Sequence, residues 1–505
     1  MFLVIRNFRN DFANILQECK NDTALLTIDP NNDENIISMS YEKLNTIIKQ
    51  IGAFLKKNNV NEGDDILCIL PNSIELAAIF LCCMYNGINL ISLPCDTTSN
   101  NIKEIFDILN PKLSLLSKII LNDSEIKQNF CNKNHVAINV DACFNWLCTE
   151  EYEYSGSLAY VYISTSGTTG KPKLMMLNIN KLWSSGFYFL RYHNLENKKL
   201  RFWNYLPMSY LGGLFNLLLI PLIAKGTALI GQTFSGKTYL NFWHTVNRFN
   251  INAIWFTPSI VKGLATFGER YSEEERFYYS RNIIASFLGT APIKLDIKQK
   301  FEKQFNIKLL ENFALSETTF FTSENPKILK YREEASVGEI LSYTQVKIKN
   351  LKNGCSEIYV KTPFLFEGYL TEQGFESPKV DDLGFFATSD LGYINKNNNL
   401  VIQGRNRDII KKGGYFISLR EIELIAEDID GIKEAACVKI AHDFYGESYN
   451  LYIISNNNTS KEVLSQKILA KLIKYKWPEE IILKKAFPKT NSGKIKKQEL
   501  IGIQE

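Results

Sequence analysis

Buried strands and amphipathic helices alternate along this sequence up to about residue 310. Apolar side chains recur at helical spacing in residues 41–57, and residues 66–70 form an apolar run that predicts a buried strand. Residues 74–85 then predict an apolar helix and residues 90–93 the next strand, and the same order returns twice between residues 228 and 310. Units of this spacing predict a parallel sheet covered by helices, so the expected fold class is α/β.

The pattern changes after Ser336. Residues 346–351, 355–362 and 400–403 are short segments of alternating hydrophobicity, separated by glycine and asparagine turns. Alternation with a period of two is typical of antiparallel strands that place one face on a core. We therefore expect a β subdomain to follow the α/β region.

The length of the chain indicates more than one domain. At about 100–200 residues per domain, a chain of 505 residues predicts roughly two to four domains. A module rich in lysine begins near Gly404 and runs to the end. We expect a large N-terminal domain, residues 1–403, made of parallel and mixed α/β subdomains plus the β subdomain. Residues 404–505 are expected to form a small, mobile α+β C-terminal domain.

Composition and charge exclude several classes of protein. The 58 basic and 54 acidic residues leave a net charge of +4, which gives no global signal for nucleic acid or for an anionic membrane. The ten cysteines and four histidines show no zinc-binding spacing, which predicts reduced thiols in a cytoplasmic protein. Polar residues interrupt the apolar stretches at 76–93 and 212–230, and the N-terminus lacks signal-peptide features. We expect no membrane insertion and no nucleic-acid partner.

Residues 164–173, with the sequence STSGTTGKPK, form the first candidate phosphate site. They follow the apolar run 158–163, which predicts a strand, and they supply five hydroxyl groups, two glycines and two lysines. Phosphate binding needs backbone N–H groups that can converge, together with short hydroxyl side chains and a cation. The composition of this segment fits all three requirements.

Residues 231–238, with the sequence GQTFSGKT, form the second candidate. They match the spacing GxxxxGK[ST] of a P-loop, in which Lys237 would reach the phosphates and Thr238 would bind magnesium. No clear strand ending in a second, metal-binding aspartate follows. On residue pattern alone, both segments stay open as nucleotide sites.

Further motifs follow the first candidate in a fixed order. NFALSE at 312–317 resembles NxYGxTE, ATSDLG at 387–392 resembles RTGDLG, residues 404–423 resemble GRxDDxIKxxG…EIE, and PKTNSGK at 488–494 resembles PKTxSGK. Together with the loop at 164–173, these motifs resemble those of the adenylate-forming superfamily, which includes acyl-CoA synthetases, aryl-CoA ligases, luciferases and peptide-synthetase adenylation domains. The resemblance covers nearly the whole chain. Within it, the P-loop match falls in a variable strand-to-helix connection.

The resemblance implies a reaction in two steps. A carboxylic acid and ATP would form acyl-AMP and pyrophosphate with Mg²⁺ as the metal. The acyl group would then pass to a thiol, from coenzyme A or from the phosphopantetheine of an acyl carrier protein. An amine acceptor stays open, as do a P-loop hydrolase that uses Lys237 and Thr238 and a catalytically silent relative that only binds nucleotide.

The resemblance also implies roles for individual residues. The catalytic residues are Lys494, Glu317 and Ser316, and Glu317 would also organise the metal. The residues expected to bind ATP are Thr165, Ser166, Gly167, Thr168, Thr169, Gly170, Lys173, Gly289, Thr290, Asn312, Phe313, Ala314, Asp390 and Arg405. The residues expected to border the substrate pocket are Tyr210, Gly213, Phe256 and Leu288, and Arg407 occupies the hinge position.

Several residues depart from the family's pattern. Phe313 replaces a tyrosine and could still stack on adenine, whereas Ala314 and Ser389 stand where the family prefers glycine. Tyr210 replaces the histidine of an acyl-CoA synthetase motif, so that role is not carried over. Residues 203–215 contain no aspartate to hold an α-ammonium group, which argues against an ordinary α-amino acid as substrate.

Overall fold

The computed structural model of this chain has, within the residues it describes, three β-sheets with helices packed against them. The described residues are 3–29, 32–123, 126, 137–139, 144, 147, 149–156, 158–166, 172–291, 293–351, 355–413, 415–455, 459–489 and 495–500.

The strands are β1 (Thr23–Asp29), β2 (Asn32–Ser40), β3 (Asp65–Ile69), β4 (Asn89–Ser92), β5 (Leu113–Leu116), β6 (Ala137–Asn139), β7 (Tyr160–Ser166), β8 (Pro172–Asn178), β9 (Arg201–Asn204), β10 (Thr227–Ile230), β11 (Ala253–Phe256), β12 (Ala285–Leu288), β13 (Leu310–Leu315), β14 (Thr319–Ser323), β15 (Ser336–Ile340), β16 (Gln345–Asn350), β17 (Ser356–Lys361), β18 (Gly368–Thr371), β19 (Gly374–Glu376), β20 (Phe386–Ile394), β21 (Asn399–Arg405), β22 (Ile409–Lys412), β23 (Tyr415–Ser418), β24 (Ile432–His442), β25 (Gly446–Ser455) and β26 (Ile481–Leu483).

The α-helices are α1 (Phe8–Glu18), α2 (Tyr41–Lys57), α3 (Ile74–Tyr85), α4 (Ser99–Leu109), α5 (Lys118–Leu121), α6 (Ile179–Tyr192), α7 (Ile220–Ile223), α8 (Gly236–Arg248), α9 (Pro258–Phe267), α10 (Glu273–Ser280), α11 (Leu295–Phe305), α12 (Leu419–Glu427) and α13 (Lys461–Lys471). A π-helix spans Gly212–Leu219, and short 3₁₀ turns span Gly268–Arg270, Leu329–Tyr331, Asn406–Asp408, Lys474–Lys476 and Lys497–Leu500.

Helix α2 shows why the sequence pattern predicted these elements well. The hydroxyl of Ser40 accepts a hydrogen bond from the backbone N–H of Lys43 at 3.1 Å, which caps the first turn. Leu44, Ile47 and Ile51 then fall on one buried face. The helix therefore begins and ends at the residues that the apolar spacing predicted.

The largest sheet joins parallel and antiparallel strands in one hydrogen-bonded path. Its order is β16-β17-β20-β21-β15-β14-β13-β12-β11-β9-β10-β1-β2. The strands from β13 to β1 run parallel, and β13 also pairs antiparallel with β14. The expected β subdomain therefore continues the parallel sheet instead of forming a separate one. It keeps a hydrophobic cluster of its own, which includes Phe321, Ile358 and Leu400.

The second sheet brings late residues beside early ones. Its order is β19-β18-β8-β7-β4-β3-β5-β6, so the hairpin β18–β19 pairs with β8 although the two lie far apart in the sequence. Strands β3 to β7 are parallel neighbours, as the alternating pattern predicted. This sheet places residues 368–376 next to the candidate phosphate loop.

The third sheet contains the C-terminal strands. Its order is β23-β22-β25-β24, with β26 pairing parallel to β25. Ile410, Ile422, Leu451 and Ile468 belong to a hydrophobic cluster separate from that of the larger sheets. Helices α12 and α13 supply part of this cluster, as an α+β module requires.

No helix among the described residues has the length and hydropathy to cross a membrane. The apolar stretch at 212–230 folds into the π-helix, α7 and β10, whose side chains are mostly buried. The stretch at 76–93 forms most of α3 and then β4, and both are fully buried.

Five buried charged residues lie between α11, β13 and β14, and we call them the buried charge cluster: Lys298, Glu302, Glu311, Glu324 and Arg332. The ammonium of Lys298 lies 3.1 Å from Glu311 and 2.6 Å from Glu324, and Arg332 lies 2.7 Å from Glu302 and 2.9 Å from Glu324. The pKa of Glu311 is raised to about 7: burial is the largest effect, the Lys298 charge opposes the rise, and the Glu324 carboxylate adds to it. When Glu311 is protonated, the cluster holds two carboxylates and two cations, so its charges balance.

Candidate active site

The predicted ATP-site residues that the structure describes fall into three local groups. The first is the turn between β7 and β8 together with the turn between β13 and β14. The second is the junction of β12 and β13, and the third is the pair of strands β20 and β21. Groups two and three belong to the largest sheet, whereas the β7–β8 hairpin belongs to the second sheet.

The candidate phosphate loop is the tip of the β7–β8 hairpin. Thr165 pairs with Lys173 and Ser166 with Pro172, and the Thr165 hydroxyl donates to the Lys173 carbonyl at 3.2 Å. The antiparallel pairing therefore holds the two ends of the candidate loop side by side. The structure describes the side chains of Thr165 and Lys173. For Ser166 it describes only the backbone, as the last residue of β7.

Glu317 lies on the turn that joins β13 to β14. Its carboxylate accepts a hydrogen bond from the Tyr369 hydroxyl at 2.8 Å, and its carbonyl accepts one from the Phe366 N–H at 2.8 Å. The ammonium of Lys173 lies 5.9 Å from the centre of the Tyr369 ring and 3.3 Å from a carboxylate oxygen of Glu376. We call these four side chains, Lys173, Glu317, Tyr369 and Glu376, the open charge cluster, since each is partly exposed.

The turn that carries Glu317 is held from several sides. Ser316 is half-buried beside it, and the Thr318 N–H donates to the Leu315 carbonyl at 3.2 Å. Thr319 has a φ of +57°, a left-handed conformation that costs energy for a β-branched residue. The Ser185 hydroxyl donates to the Thr319 hydroxyl at 2.7 Å and helps to hold this conformation.

The second group joins the ends of β12 and β13. The Asn312 amide donates to the Leu288 carbonyl at 3.0 Å, and a Cβ at Gly289 would lie 3.2 Å from the Asn312 side chain. Glycine therefore lets the two strand ends approach closely. Thr290 follows with a φ of +78° and an exposed side chain.

The ring predicted to stack on adenine lies on the other face of β13. Phe313 is half-buried and packs edge-to-face on Phe321, with ring centres 5.2 Å apart. Ala314 follows and is exposed. A partly exposed ring next to a small residue leaves room for a flat ligand, so the stacking role of Phe313 stays a prediction that the geometry allows.

The third group is an ion pair across β20 and β21. Arg405 lies opposite Asp390 in the strand register, and its Nε donates to the Asp390 carboxylate at 2.9 Å. Asp390 is almost fully buried, whereas the Arg405 side chain is 40% exposed. Ser389, just before Asp390, has a φ of +61°, which explains why glycine is preferred at this position in the family pattern.

Two residues expected at the acyl pocket lie in the core. Phe256 and Leu288 end the neighbouring strands β11 and β12, and both side chains are fully buried. The Phe256 ring packs against Phe242 and Phe301, with ring centres 6.1 and 5.3 Å away. Their contacts are those of core residues, and a role in acyl binding stays a prediction for both.

The other two pocket candidates lie at the start of the π-helix. Tyr210 is 40% exposed, and a Cβ at Gly213 would lie 2.4 Å from the carbonyl oxygens of Leu206 and Pro207. The Asn204 amide donates to the Gly213 carbonyl at 2.9 Å. π-Helices are rare and often occur at functional sites, so this tightly packed turn fits a binding role.

Several predicted residues lie outside the described part of the structure. These are Gly167, Thr168, Thr169, Gly170 and Lys494, together with the side chains of Ser166 and Arg407.

Lys496 lies two residues beyond Lys494 and interacts electrostatically with the pocket candidate Tyr210. Burial, the largest effect, and Asp96 raise the pKa of Tyr210, whereas the Lys496 charge lowers it.

The P-loop candidate at 231–238 does not form a phosphate cradle. Helix α8 begins at Gly236, where the Thr238 hydroxyl accepts from the Ser235 N–H at 3.0 Å as part of a capping box. The N–H groups of Gly231 and Phe234 donate to the carbonyls of residues 204 and 205. The Thr238 hydroxyl and four N–H groups of the loop, those of Gly231, Phe234, Ser235 and Thr238, are thus already engaged.

Sequence reasoning missed Tyr369 and Glu376 in the open charge cluster. Tyr369 lies 52 residues from Glu317 in the chain, and no motif signal links the two. No strand was predicted for residues 368–371, so the sequence offered no reason to assign Tyr369 a role. Only the pairing of β18 with β8 brings it to the site.

The sequence matches the AMP-binding enzyme family over residues 12–370, and the C-terminal domain of AMP-binding enzymes over residues 421–494. The chain therefore belongs to the AMP-binding enzyme family.

Named relatives match this chain over most of their length. The chain is 24% identical over 503 residues to a 4-coumarate–CoA ligase from Vanilla planifolia, covering 91% of this chain and 88% of that enzyme. It is 25% identical over 479 residues to a 2-succinylbenzoate–CoA ligase from Staphylococcus epidermidis, covering 92% and 93%. Its fold matches the crystal structure of ATP-bound MatB from Rhodopseudomonas palustris with a TM-score of 0.82 at 20% identity, covering 97% and 98% of the two chains.

Proposed function

We propose that this enzyme joins a carboxylic acid to ATP, forming acyl-AMP and pyrophosphate, and then transfers the acyl group to the thiol of coenzyme A. The observation that carries the proposal is the open charge cluster. The chain belongs to the AMP-binding enzyme family. Within the cluster, Lys173 places a cation at the end of the candidate phosphate loop, and the Glu317 carboxylate, which suits a metal, contacts the same tyrosine, Tyr369.

The chemistry explains why such a cluster is useful. A carboxylate is a poor acyl donor because its leaving group would be oxide. Attack of one carboxylate oxygen on the α-phosphorus breaks the bond to pyrophosphate and creates a mixed anhydride whose leaving group is AMP. Two anions must meet in this step, so positioning and charge neutralisation lower the barrier. A thiolate can then attack the acyl carbon and release AMP.

The residues of the open charge cluster fit a magnesium–phosphate complex. Mg²⁺ prefers oxygen ligands, usually one or two carboxylates with the rest from water and substrate phosphates. Glu317 offers one such carboxylate, and the described residues contain no group of three or more metal-binding side chains. Bound Mg²⁺ would neutralise phosphate charge. Thr165 and Lys173 would hold the phosphates from the hairpin.

The other two groups fit the nucleoside. Asp390 is a buried acceptor whose carboxylate could take hydrogen bonds from ribose hydroxyls, and Arg405 beside it is exposed enough to meet the α-phosphate. Asn312 and Phe313 offer an amide and a ring for adenine. These roles support a nucleotide that runs along the strand ends from β12 to β20.

We also propose that the chain divides near residue 404 into domains 1–403 and 404–505. Strand β21 belongs to the largest sheet and ends at Arg405, whereas Ile410 already belongs to the C-terminal hydrophobic cluster. Arg407 lies in the short 3₁₀ turn between the two, the place for a hinge. Rotation about it would withdraw Lys494 after the first step and bring residues 411–414 toward the acyl-AMP.

The identity of the acid and of the acceptor is proposed from the relatives. The named relatives are ligases for 4-coumarate, malonate and 2-succinylbenzoate, and all use coenzyme A by name. We therefore place aromatic and dicarboxylic acids first among candidate substrates. The pantetheine of an acyl carrier protein and an amine are the alternative acceptors.

We place the reaction in the cytoplasm. No cysteine within the described residues forms a disulfide, and most are buried, as expected for thiols in a reducing compartment. Burial raises the pKa of Cys82 to about 12, so this thiol stays protonated and unreactive.

Product analysis tests the proposal against its alternatives. With ATP and an accepted acid, we expect acid-dependent pyrophosphate release that is lost in Lys494→Ala and kept in Lys237→Ala. Release of phosphate that is lost only in Lys237→Ala would instead indicate a P-loop hydrolase. Tight nucleotide binding without turnover on any acid would indicate a silent relative.

The two-step proposal has its own test. Lys494→Ala should abolish acyl-AMP formation and spare thioester formation from synthetic acyl-AMP and coenzyme A. Equal loss of both steps would refute the rotation of the C-terminal domain.

A further inference from the structure

Tyr369 touches two elements that are remote in sequence. Its hydroxyl donates to a carboxylate oxygen of Glu317 at 2.8 Å, and its ring lies 5.9 Å from the ammonium of Lys173. Lys173 comes from the hairpin of the second sheet and Glu317 from the largest sheet. Tyr369 is therefore a side chain that links the candidate phosphate site to the candidate metal carboxylate.

Both ends of this contact are held in place by the backbone. Tyr369 pairs with Met175 in the register of β18 and β8, which is the strand that carries Lys173. Phe366 packs on the Tyr369 ring with centres 4.8 Å apart, and its N–H donates to the carbonyl of Glu317. A hydroxyl and a carboxylate fixed in this way form a contact with little freedom to rearrange.

Resting on the proposed function, we infer that Tyr369 is a positioning residue that holds one carboxylate oxygen of Glu317, so that the other oxygen meets the magnesium ion carried by ATP. A half-exposed glutamate on a turn samples several rotamers, and a single fixed donor reduces that freedom. The hydroxyl is a neutral donor, so it orients the carboxylate without neutralising the charge that a cation needs.

Tyr369→Phe removes the hydroxyl and keeps the ring beside Lys173. We expect it to weaken the magnesium-dependent part of ATP binding about tenfold, the scale of one hydrogen bond to a charged group. Binding of ATP without metal should stay within about twofold, since the Lys173 side is unchanged. Isothermal calorimetry of ATP with and without Mg²⁺ measures both quantities directly.

Tyr162→Phe is the matched control. Tyr162 lies on β7 of the same sheet, and its hydroxyl donates to the Asp65 carboxylate at 3.0 Å. This variant removes an equivalent hydrogen bond away from the site and should leave the magnesium effect unchanged. An equal loss in Tyr162→Phe and Tyr369→Phe would show a general structural effect and overturn the inference.

A double-mutant cycle with Glu317→Gln separates positioning from packing. If Tyr369 acts through Glu317, Tyr369→Phe should add almost nothing in the Glu317→Gln background. Additive losses, or a wild-type protein whose ATP affinity ignores Mg²⁺, would overturn the inference. A wild-type protein that binds Mg²⁺ and ATP as expected but exchanges pyrophosphate with no acid would contradict the proposed function and leave the calorimetric result to decide on Tyr369.

Discussion

Two charged clusters lie at the two ends of β13 and differ in how their charges are balanced. In the buried charge cluster, each charged side chain contacts one of opposite charge, and all are at most 9% exposed. In the open charge cluster, the described partner of the Glu317 carboxylate is the neutral Tyr369 hydroxyl, and Lys173 lies beside an exposed glutamate. The charges of the first cluster are paired with one another, whereas the Glu317 carboxylate of the second has a neutral partner.

Backbone strain also occurs near the predicted site residues. Left-handed φ angles occur at Thr290, which is a predicted site residue, and at Thr319 and Ser389, which each lie within two residues of one. Lys199 and Lys225, which lie away from both clusters, adopt the same conformation, so the angle by itself does not mark a site. Strained backbone persists where the surrounding structure holds it.

The largest expected effect comes from breaking the buried charge cluster. Lys298→Met leaves three carboxyl groups with Arg332 as their one cation, so we expect a loss of about 3–5 kcal/mol in the free energy of unfolding. Denaturant titration measures this loss. Lys300→Met, two residues along on α11 and exposed, should change it by less than about 0.5 kcal/mol. Equal effects would mean that the buried pairs contribute nothing specific.

The pKa of Glu311 predicts a pH-dependent difference. Between its ordinary value of 4.5 and its folded value of about 7, the unfolded chain has lost the Glu311 proton and the folded chain keeps it. Its contribution to stability is complete below pH 4.5 and is lost as the pH rises through about 7. Glu311→Gln removes this loss. As the pH rises from 4.5 to about 7, the free energy of unfolding of the variant should therefore rise relative to that of the wild type, by at most about 3 kcal/mol.

The comparison of wild type and variant matters because His193 acts in the opposite direction. Burial lowers the pKa of His193 to about 3, so its effect destabilises the fold as the pH falls from 6.5. Subtracting the two unfolding curves cancels this effect. A difference that does not change with pH would show that Glu311 is ionised in the folded protein throughout.

Relief of backbone strain beside Asp390 should have a smaller effect on stability. Ser389→Gly places glycine at a φ of +61°, which should raise the free energy of unfolding by about 1 kcal/mol. Ser336→Gly, on the buried strand β15, should lower it instead. Thermal melts of both variants test the sign. A loss of stability in Ser389→Gly would show that the left-handed conformation of Ser389 is not strained.

The smallest effect concerns the exposed partner of Lys173. Glu376→Gln frees this lysine for phosphate, so the Kd for ATP should fall about two- to threefold, as expected for an exposed ion pair. Glu367→Gln, which removes the carboxylate 2.9 Å from Lys181 in the same segment, should leave the Kd unchanged. Weaker ATP binding in Glu376→Gln would show that the glutamate supports the site.

The sequence predicted the parts of the molecule that depend on local pattern. Apolar spacing predicted the bounds of α2 and α3. Motif order predicted the family, and Asp390 with Arg405 proved to be neighbours across two strands. Each of these depends on residues that are close in sequence or in a known order.

The remainder depends on long-range pairing. Nothing in the sequence joins residues 368–376 to β8, so Tyr369 and Glu376 could not be assigned to the site. The buried charge cluster was also missed, because Lys298 and Glu324 meet only when α11 packs over β13 and β14. Charged residues are usually exposed, and pattern alone gives no reason to bury five of them together.

Acid-dependent exchange between ATP and pyrophosphate tests the central claim most directly. It should be measured with 4-coumarate, malonate, 2-succinylbenzoate and a broader panel of carboxylic acids, on the wild type and on Glu317→Gln. The account predicts exchange above the acid-free rate with at least one acid, and a fall of about 10²–10³-fold in Glu317→Gln with unchanged thermal stability. Exchange with no acid, or full exchange without the Glu317 carboxylate, would contradict it.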